Sequence, residues 1–281
     1  MASPLVTTDW LAGRLGEPGL VVLDGSWHMP ETGRDPKAEY ADGHIPDAVF
    51  FDIDAISDHT SSLPHMLPAP ADFATAMRRL GVEPDSTVVV YDSVGVFSAP
   101  RVWWTLRAMG HDRVFVLDGG LKKWLAEGHP VEAGWREPPH GEFKAHFRPE
   151  LVQDLGGVRG VLESGSAQVV DARAAIRFRG EAPEPRPGLR AGHMPGALNA
   201  PWGGIVAEDG TLKPADKLRA AFEAAGVDLA RPIVTTCGSG ISASILALAL
   251  AVLGRDDVPV YDGSWSEWGA STSGAPVATG P

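Results

Sequence analysis

The amino-acid sequence predicts an α/β protein of two tandem domains, each a mainly parallel sheet flanked by helices. Three observations predict it. The chain has 281 residues, near the practical limit of one core, so two cores are expected. Short apolar β-runs alternate with stretches of helical spacing. And the chain contains itself twice.

The repeat is read from four matched stretches in the same order. "LVVLDGSW" (Leu20–Trp27) parallels "AQVVDARAA" (Ala167–Ala175), both apolar runs ending in an aspartate. "YADGHIPDAVFFD" (Tyr40–Asp52) parallels "LRAGHMPGALNAP" (Leu189–Pro201) through a shared Gly-His-apolar-Pro. "LGVEPDSTVVVYDSVGVFSA" (Leu80–Ala99) parallels "AGVDLARPIVTTCGSGISAS" (Ala225–Ser244), and "RVFVLDGGLKKW" parallels "VPVYDGSWSEW". Duplication of one domain explains all four. "GWREPPHGEFKAHFRPE" (Gly134–Glu150), rich in Pro, Gly and mixed charge, reads as a linker. The domains are placed at residues 1–140 and 150–281.

In the first copy, Leu20–Leu23, Thr87–Tyr91 and Arg113–Leu117 read as buried strands, while "FATAMRRLG" and "PRVWWTLRAMG" show helical spacing and stop at glycine. The second copy repeats this with "LRAAFEAAG" and "SASILALALAVLG" after the strand Pro232–Thr236. Such alternation implies parallel strands covered on both faces, with sites beyond their carboxyl ends.

The net charge of −12 argues against nucleic acid and anionic membranes as partners. An anionic substrate therefore requires locally gathered positive charge. One cysteine excludes an internal disulfide and a multi-thiolate metal site. The N-terminal stretch lacks a basic region followed by a sustained apolar core, and the apolar run Ile241 to Leu253 is too short to span a bilayer. A cytoplasmic protein is expected.

That single thiol, Cys237, stands in "TTCGSGISAS", directly after a strand and before a helix. Gly238, Ser239 and Gly240 are small enough for their main-chain N–H groups to curl around one point, and Ser242 reads as the N-cap of a helix beginning near Ala243. A nest of amides at a helix start favours an anion, here the thiolate that acts as nucleophile. The role also requires a sulfur that solvent can reach. The first copy has Asp92 at the matching position. The scaffold thus does not need Cys there, and only the second copy is expected to be active. His44 and His193, in the Gly-His-x-Pro of both copies, read as structural turn residues.

Two tandem domains with a loop cysteine only in the second resemble the two-domain rhodanese-type sulfurtransferases, from about Leu5 to Trp268. The loop "CGSG" followed by "ISA" is similar to the Cys-Gly-Ser-Gly-Val-Thr-Ala loop of the 3-mercaptopyruvate branch, with Ile241 and Ser242 in place of Val and Thr. It lacks the basic pair usual in the thiosulfate branch. The resemblance implies two rhodanese-like domains, a catalytic Cys237, and a substrate-binding loop of Gly238, Gly240, Ile241 and Ser242. "RFRGEAPEPR" resembles the segment whose first and last arginines, Arg177 and Arg186, grip the substrate carboxylate, a task suited to planar guanidinium forks. "FFDID" and "LPHMLP" resemble the segments that supply Asp54 and His65, which with Ser239 form an implied Asp–His–Ser relay in a cleft between domains.

The activity so implied moves sulfane sulfur from 3-mercaptopyruvate through a Cys237 persulfide to a thiol or cyanide, releasing pyruvate, with no metal or organic cofactor. Thioredoxin is the family-level example of a thiol acceptor. Alternatives are a thiosulfate:cyanide sulfurtransferase and a non-catalytic sulfur-carrier or docking module. A Cys-dependent phosphatase would need an arginine shortly after the cysteine, and Ile241 to Ile245 supplies none.

Overall fold

The computed structural model describes residues 3–281. The chain divides into two compact units. The first comprises the described residues up to Asp58 together with Leu67–Arg148 and Ala207–Leu212. The second comprises His59–Met66, Pro149–Val206 and Lys213–Pro281.

The first unit holds five strands: β1 (Leu5–Val6), β2 (Leu20–Asp24), β3 (Val49–Phe50), β4 (Thr87–Tyr91) and β5 (Val114–Leu117). They lie in the order β1-β5-β4-β2-β3, and every pairing is parallel. β4 is central, with Val88 to Tyr91 all buried, which is why its residues run apolar without alternation. Helices α1 (Thr8–Ala12), α2 (Pro36–Asp42), α3 (Pro70–Arg79), α4 (Ala99–Ala108) and α5 (Gly120–Ala126) flank the sheet. Local chemistry starts α2: Pro36 occupies its first turn, and the Asp35 carboxylate accepts from the N–H groups of Lys37 and Ala38. The segment after Gly134 is irregular yet packed, since Phe143 is buried against Phe73 and His111.

The second unit repeats the plan with β6 (Val152–Gln153), β7 (Gln168–Asp171), β8 (Leu198–Asn199), β9 (Ile233–Thr236) and β10 (Val260–Tyr261), in the order β6-β10-β9-β7-β8 and again all parallel. Its helices are α6 (Leu155–Ser164), α7 (Ala175–Phe178), α8 (Ala215–Ala224), α9 (Ile241–Val252) and α10 (Ser264–Trp268). α9 is apolar around its whole circumference and almost wholly buried, as its Ile-Leu-Ala composition requires. Val158, Val169, Val234, Trp265 and Trp268 form the core on one side of this sheet. Among the described residues, no helix is long and apolar enough to cross a membrane.

The two-residue strands β1, β3, β6, β8 and β10 have too few residues for a readable period, and only pairing defines them. The repeated histidines are structural, as their presence in both copies indicates. His44 Nδ1 donates to the Tyr40 carbonyl and His193 Nδ1 to the Phe178 carbonyl, each at 2.8 Å, and each ring stacks on an aromatic neighbour.

Strand order creates a switch point in the second unit. From β7 the chain crosses to β8 on one side, then returns to β9 on the other. The loops after β7 and β9 therefore diverge and leave a crevice at the carboxyl ends of the strands. Arg173 follows β7 and Cys237 follows β9, so both stand at this crevice.

Candidate active site

Cys237 is the first residue beyond β9, and its loop is held by the turn leading into α10. The Cys237 N–H donates to Ser264 Oγ at 3.2 Å, and Ser264 Oγ donates to the Tyr261 carbonyl at 2.8 Å. The Cys237 carbonyl accepts from the Trp265 N–H at 2.9 Å. The Gly238 carbonyl accepts both the N–H and Oγ of Ser266, at 2.8 and 2.7 Å. These bonds take up backbone groups on one side of the loop and fix its path.

Two expectations are corrected here. α9 begins at Ile241, and its N-cap is Gly240 rather than Ser242. Gly240 adopts φ +82°, a left-handed conformation that glycine tolerates, so the chain is already helical when it reaches Ser242. Among the described residues, no side chain caps this helix. The second correction concerns access. Cys237 is a free thiol but only 2% exposed, so the sulfur is recessed rather than open on the surface. Gly238 beside it is half-buried.

The first unit shows what such a loop does. Asp92 stands in its place after β4, and its carboxylate accepts five main-chain N–H groups: Val94 and Gly95 on Oδ1, then Phe97, Ser98 and Ala99 on Oδ2, all at 2.8–2.9 Å. Burial pushes the Asp92 carboxyl above the ordinary carboxylate range, and the amides pull against it. By the repeat, the matching amides in the second unit belong to Ser239, Gly240, Ser242, Ala243 and Ser244. Ser239 and Ile241 are buried in this loop, and Ser242 is half-buried.

Arg177 and Arg186 meet over the loop. A Cβ on Gly238 would lie 3.4 Å from Arg177 Nη2 and 4.0 Å from Arg186 Nη1. Arg177 projects from α7 and binds the Glu184 carboxylate through Nη2 at 2.5 Å and Nε at 3.3 Å. Arg173 Nη1 donates to Glu184 Oε1 at 2.9 Å, the oxygen that Arg177 Nε also reaches. Arg173 is itself held by both oxygens of Asp171 and by the Gly192 carbonyl, and it stacks on Trp265 with 4.2 Å to the ring centre. Asp171, Arg173, Glu184, Ser264 and Ser266 escaped the sequence reading. A signal existed: the duplicated "DGG" of the first copy becomes "DGS" at Ser264, which keeps φ +49° where Gly120 has φ +54°.

His65 belongs by its contacts to the second unit, is buried, and has φ +60°. Its Nε2 lies 3.3 Å from Arg186 Nη2. A guanidinium only donates, which assigns Nε2 as the acceptor and the ring proton to Nδ1. Asp54 lies in the first unit, where it accepts from Trp27 Nε1 at 3.1 Å. The second unit thus brings together the cysteine loop, both arginines and His65.

Residues 7–127 and 157–271 each match the family described as rhodanese-like domain. The chain is 50% identical over 266 residues to the 3-mercaptopyruvate sulfurtransferase of Escherichia coli, covering 94% of each. It is 46% identical over 272 residues to the thiosulfate sulfurtransferase of Bos taurus, covering 94% of this chain and 91% of that one. Among solved structures, it superposes on the crystal structure of SseA, a 3-mercaptopyruvate sulfotransferase from Escherichia coli, with a TM-score of 0.87 at 47% identity, covering 95% of this chain and all of that one. With the family domain matched twice across most of its length, the chain belongs to the rhodanese-like domain family.

Proposed function

We propose that this protein transfers sulfur from 3-mercaptopyruvate, through a persulfide on Cys237, to a thiol or cyanide acceptor, with release of pyruvate. The observation that carries this reading is the pair Arg177 and Arg186 over Gly238, next to the only cysteine. Together they join a carboxylate clamp to a sulfur nucleophile. Near-complete alignment with the Escherichia coli 3-mercaptopyruvate sulfurtransferase supports the donor.

The steps follow from the geometry. The arginines hold the carboxylate and 2-oxo group of the donor. The Cys237 thiolate attacks the donor's sulfur. An S–S bond forms, the C–S bond breaks, and its electron pair passes to the methylene carbon as the enolate of pyruvate. One proton on that carbon completes pyruvate. Ser239, backed by His65, delivers it in this reading. The amides of Gly238 to Ser244 then stabilise the persulfide anion, as the first unit's loop does a carboxylate. An acceptor thiol, with thioredoxin as one candidate, takes the outer sulfur and restores the thiolate. The matching loop of the first domain, with Asp92 in place of the cysteine, supplies no nucleophile. A reducing compartment such as the cytoplasm suits a catalytic thiol.

Thiosulfate is the competing donor, since a bovine thiosulfate sulfurtransferase is 46% identical. The loop offers it no basic side chain. Steady-state turnover of both donors by the purified protein is the test. Pyruvate release from 3-mercaptopyruvate, with a gain of one sulfur mass on Cys237 that Cys237→Ser abolishes, is expected. Turnover of thiosulfate alone would overturn the reading.

A further inference from the structure

We infer that Arg173 is a positioning residue for sulfur transfer: with Trp265 it fixes the place of the donor clamp at Arg177 relative to the Cys237 loop. This rests on the sulfur-transfer reading above and extends it to two side chains which that reading does not use.

Arg173 follows β7, and its side chain is only 1% exposed. Its guanidinium uses each edge for a different partner. Nε and Nη2 donate to Asp171 Oδ2 at 2.9 and 2.7 Å, and Nη2 also donates to the Gly192 carbonyl at 2.9 Å. Nη1 donates to Glu184, whose carboxylate also accepts from Nε and Nη2 of Arg177. The guanidinium carbon lies over the Trp265 ring, and the Trp265 N–H donates to the Cys237 carbonyl at 2.9 Å. One planar group is thus linked to the clamp through Glu184 and to the nucleophile's main chain through Trp265.

The repeat supplies the control. In the first unit Ser26 stands at the place of Arg173 and Leu121 at the place of Trp265. Asp24 still ends its strand as Asp171 does. The Leu121 N–H still donates to the Asp92 carbonyl at 2.9 Å, the same bond that Trp265 makes to Cys237. The loop is therefore held in place without an arginine or a tryptophan. The pair occurs in the unit that carries the thiol and the clamp. A buried ion network adds little net stability after desolvation, so its effect here is on geometry. That geometry matters, because a displacement of about 1 Å between reacting groups costs about a hundredfold in rate.

Two variants cut the two legs of the link. Arg173→Lys keeps the charge, but a single ammonium cannot fork to Asp171, Gly192 and Glu184 or lie flat on Trp265. Trp265→Leu installs the residue of the first unit and keeps the main-chain N–H. Three quantities are measured: kcat and KM for 3-mercaptopyruvate, the rate of Cys237 alkylation by neutral iodoacetamide, and the pyruvate concentration that half-protects Cys237. Each variant is expected to lose between about tenfold and a hundredfold in kcat/KM, mostly in kcat, and to need more pyruvate for protection. Iodoacetamide does not use the clamp, so its rate should stay near wild type. The double variant should be no slower than the slower single, because both substitutions break one link.

Wild-type kcat/KM in either folded variant overturns the inference, and Trp265→Leu decides it alone if Arg173→Lys does not fold. Losses that multiply in the double variant also overturn it. So does an iodoacetamide rate that falls in step with kcat/KM, the sign of a merely structural pair. Failure of the sulfur-transfer reading shows separately, as absence of pyruvate release by the wild type.

Discussion

Ser264 accepts the main-chain N–H of Cys237 on its hydroxyl, from a backbone held at φ +49°. A serine in the left-handed region costs about 1 kcal/mol relative to glycine. The first unit has Gly120 at the matching place. The strained residue therefore sits beside the nucleophile, where its hydroxyl has a partner.

Two substitutions separate strain from bonding. Ser264→Ala keeps the strain and leaves the buried Cys237 N–H without its acceptor, an expected loss of about 1–3 kcal/mol. Ser264→Gly relieves the strain and loses the same bond, so it should melt above Ser264→Ala. Both should lower kcat for sulfur transfer, because the loop that aims the thiolate is loosened. Thermal melts alongside steady-state rates check this; wild-type kcat in both variants would refute the positioning role.

A recessed thiol under a carboxylate clamp predicts selective labelling. Iodoacetate is a carboxylate monoanion and should alkylate Cys237 faster than neutral iodoacetamide by about tenfold, through the attraction of Arg177 and Arg186. Arg177→Ala and Arg186→Ala should each erode that preference. Equal rates for both reagents in the wild type would show that the arginines do not guide anions to the sulfur.

The first unit's loop is tied together by Asp92. Asp92→Ala leaves five converging amides without an acceptor in a buried site. A loss of about 3 kcal/mol is expected. In calorimetry this should appear as a lowered transition for the first unit; an unchanged melt would mean that water or a rearranged loop replaces the carboxylate.

Asp24 gives a pH dependence of definite sign. It ends β2 as Asp171 ends β7, but residue 26 is a serine where the second copy has Arg173. Burial without that arginine pushes its carboxyl from 3.8 to about 6, against the hydrogen bonds from Ser26 and Tyr91. The folded state thus binds the proton more tightly than the unfolded one. Its contribution is fully present below the unfolded value and is lost as pH rises through about 6. The gap corresponds to at most about 3 kcal/mol. Asp24→Asn should raise the melting temperature at pH 7.5 and leave it nearly unchanged at pH 4. A gain of equal size at both pH values would mean that Asp24 does not titrate in this range.

Much of the architecture was legible from local pattern. The strands Thr87–Tyr91 and Ile233–Thr236 could be read because buried parallel strands need unbroken apolar runs, and α9 because its apolar run stops at glycine. The edge strands could not be read, since two residues carry no period and exist only by pairing. At the site, Cys237, Arg177 and Arg186 stood out by residue type and resemblance. The helix cap was misread because Ser242 has the right chemistry for an N-cap, whereas backbone conformation at Gly240 decides where the helix starts.

By itself the sequence determined the duplicated α/β plan, the lone thiol after a central strand and the loop of small residues around it. Each depends on composition and spacing within a few residues. Only the tertiary structure decided that Ser264 would hold Cys237 from 27 residues away, that Asp171, Arg173 and Glu184 would brace Arg177, and that the sulfur would be recessed. Those relations arise where loops from different strands converge at the switch point of a parallel sheet, and no local pattern encodes which side chains meet there.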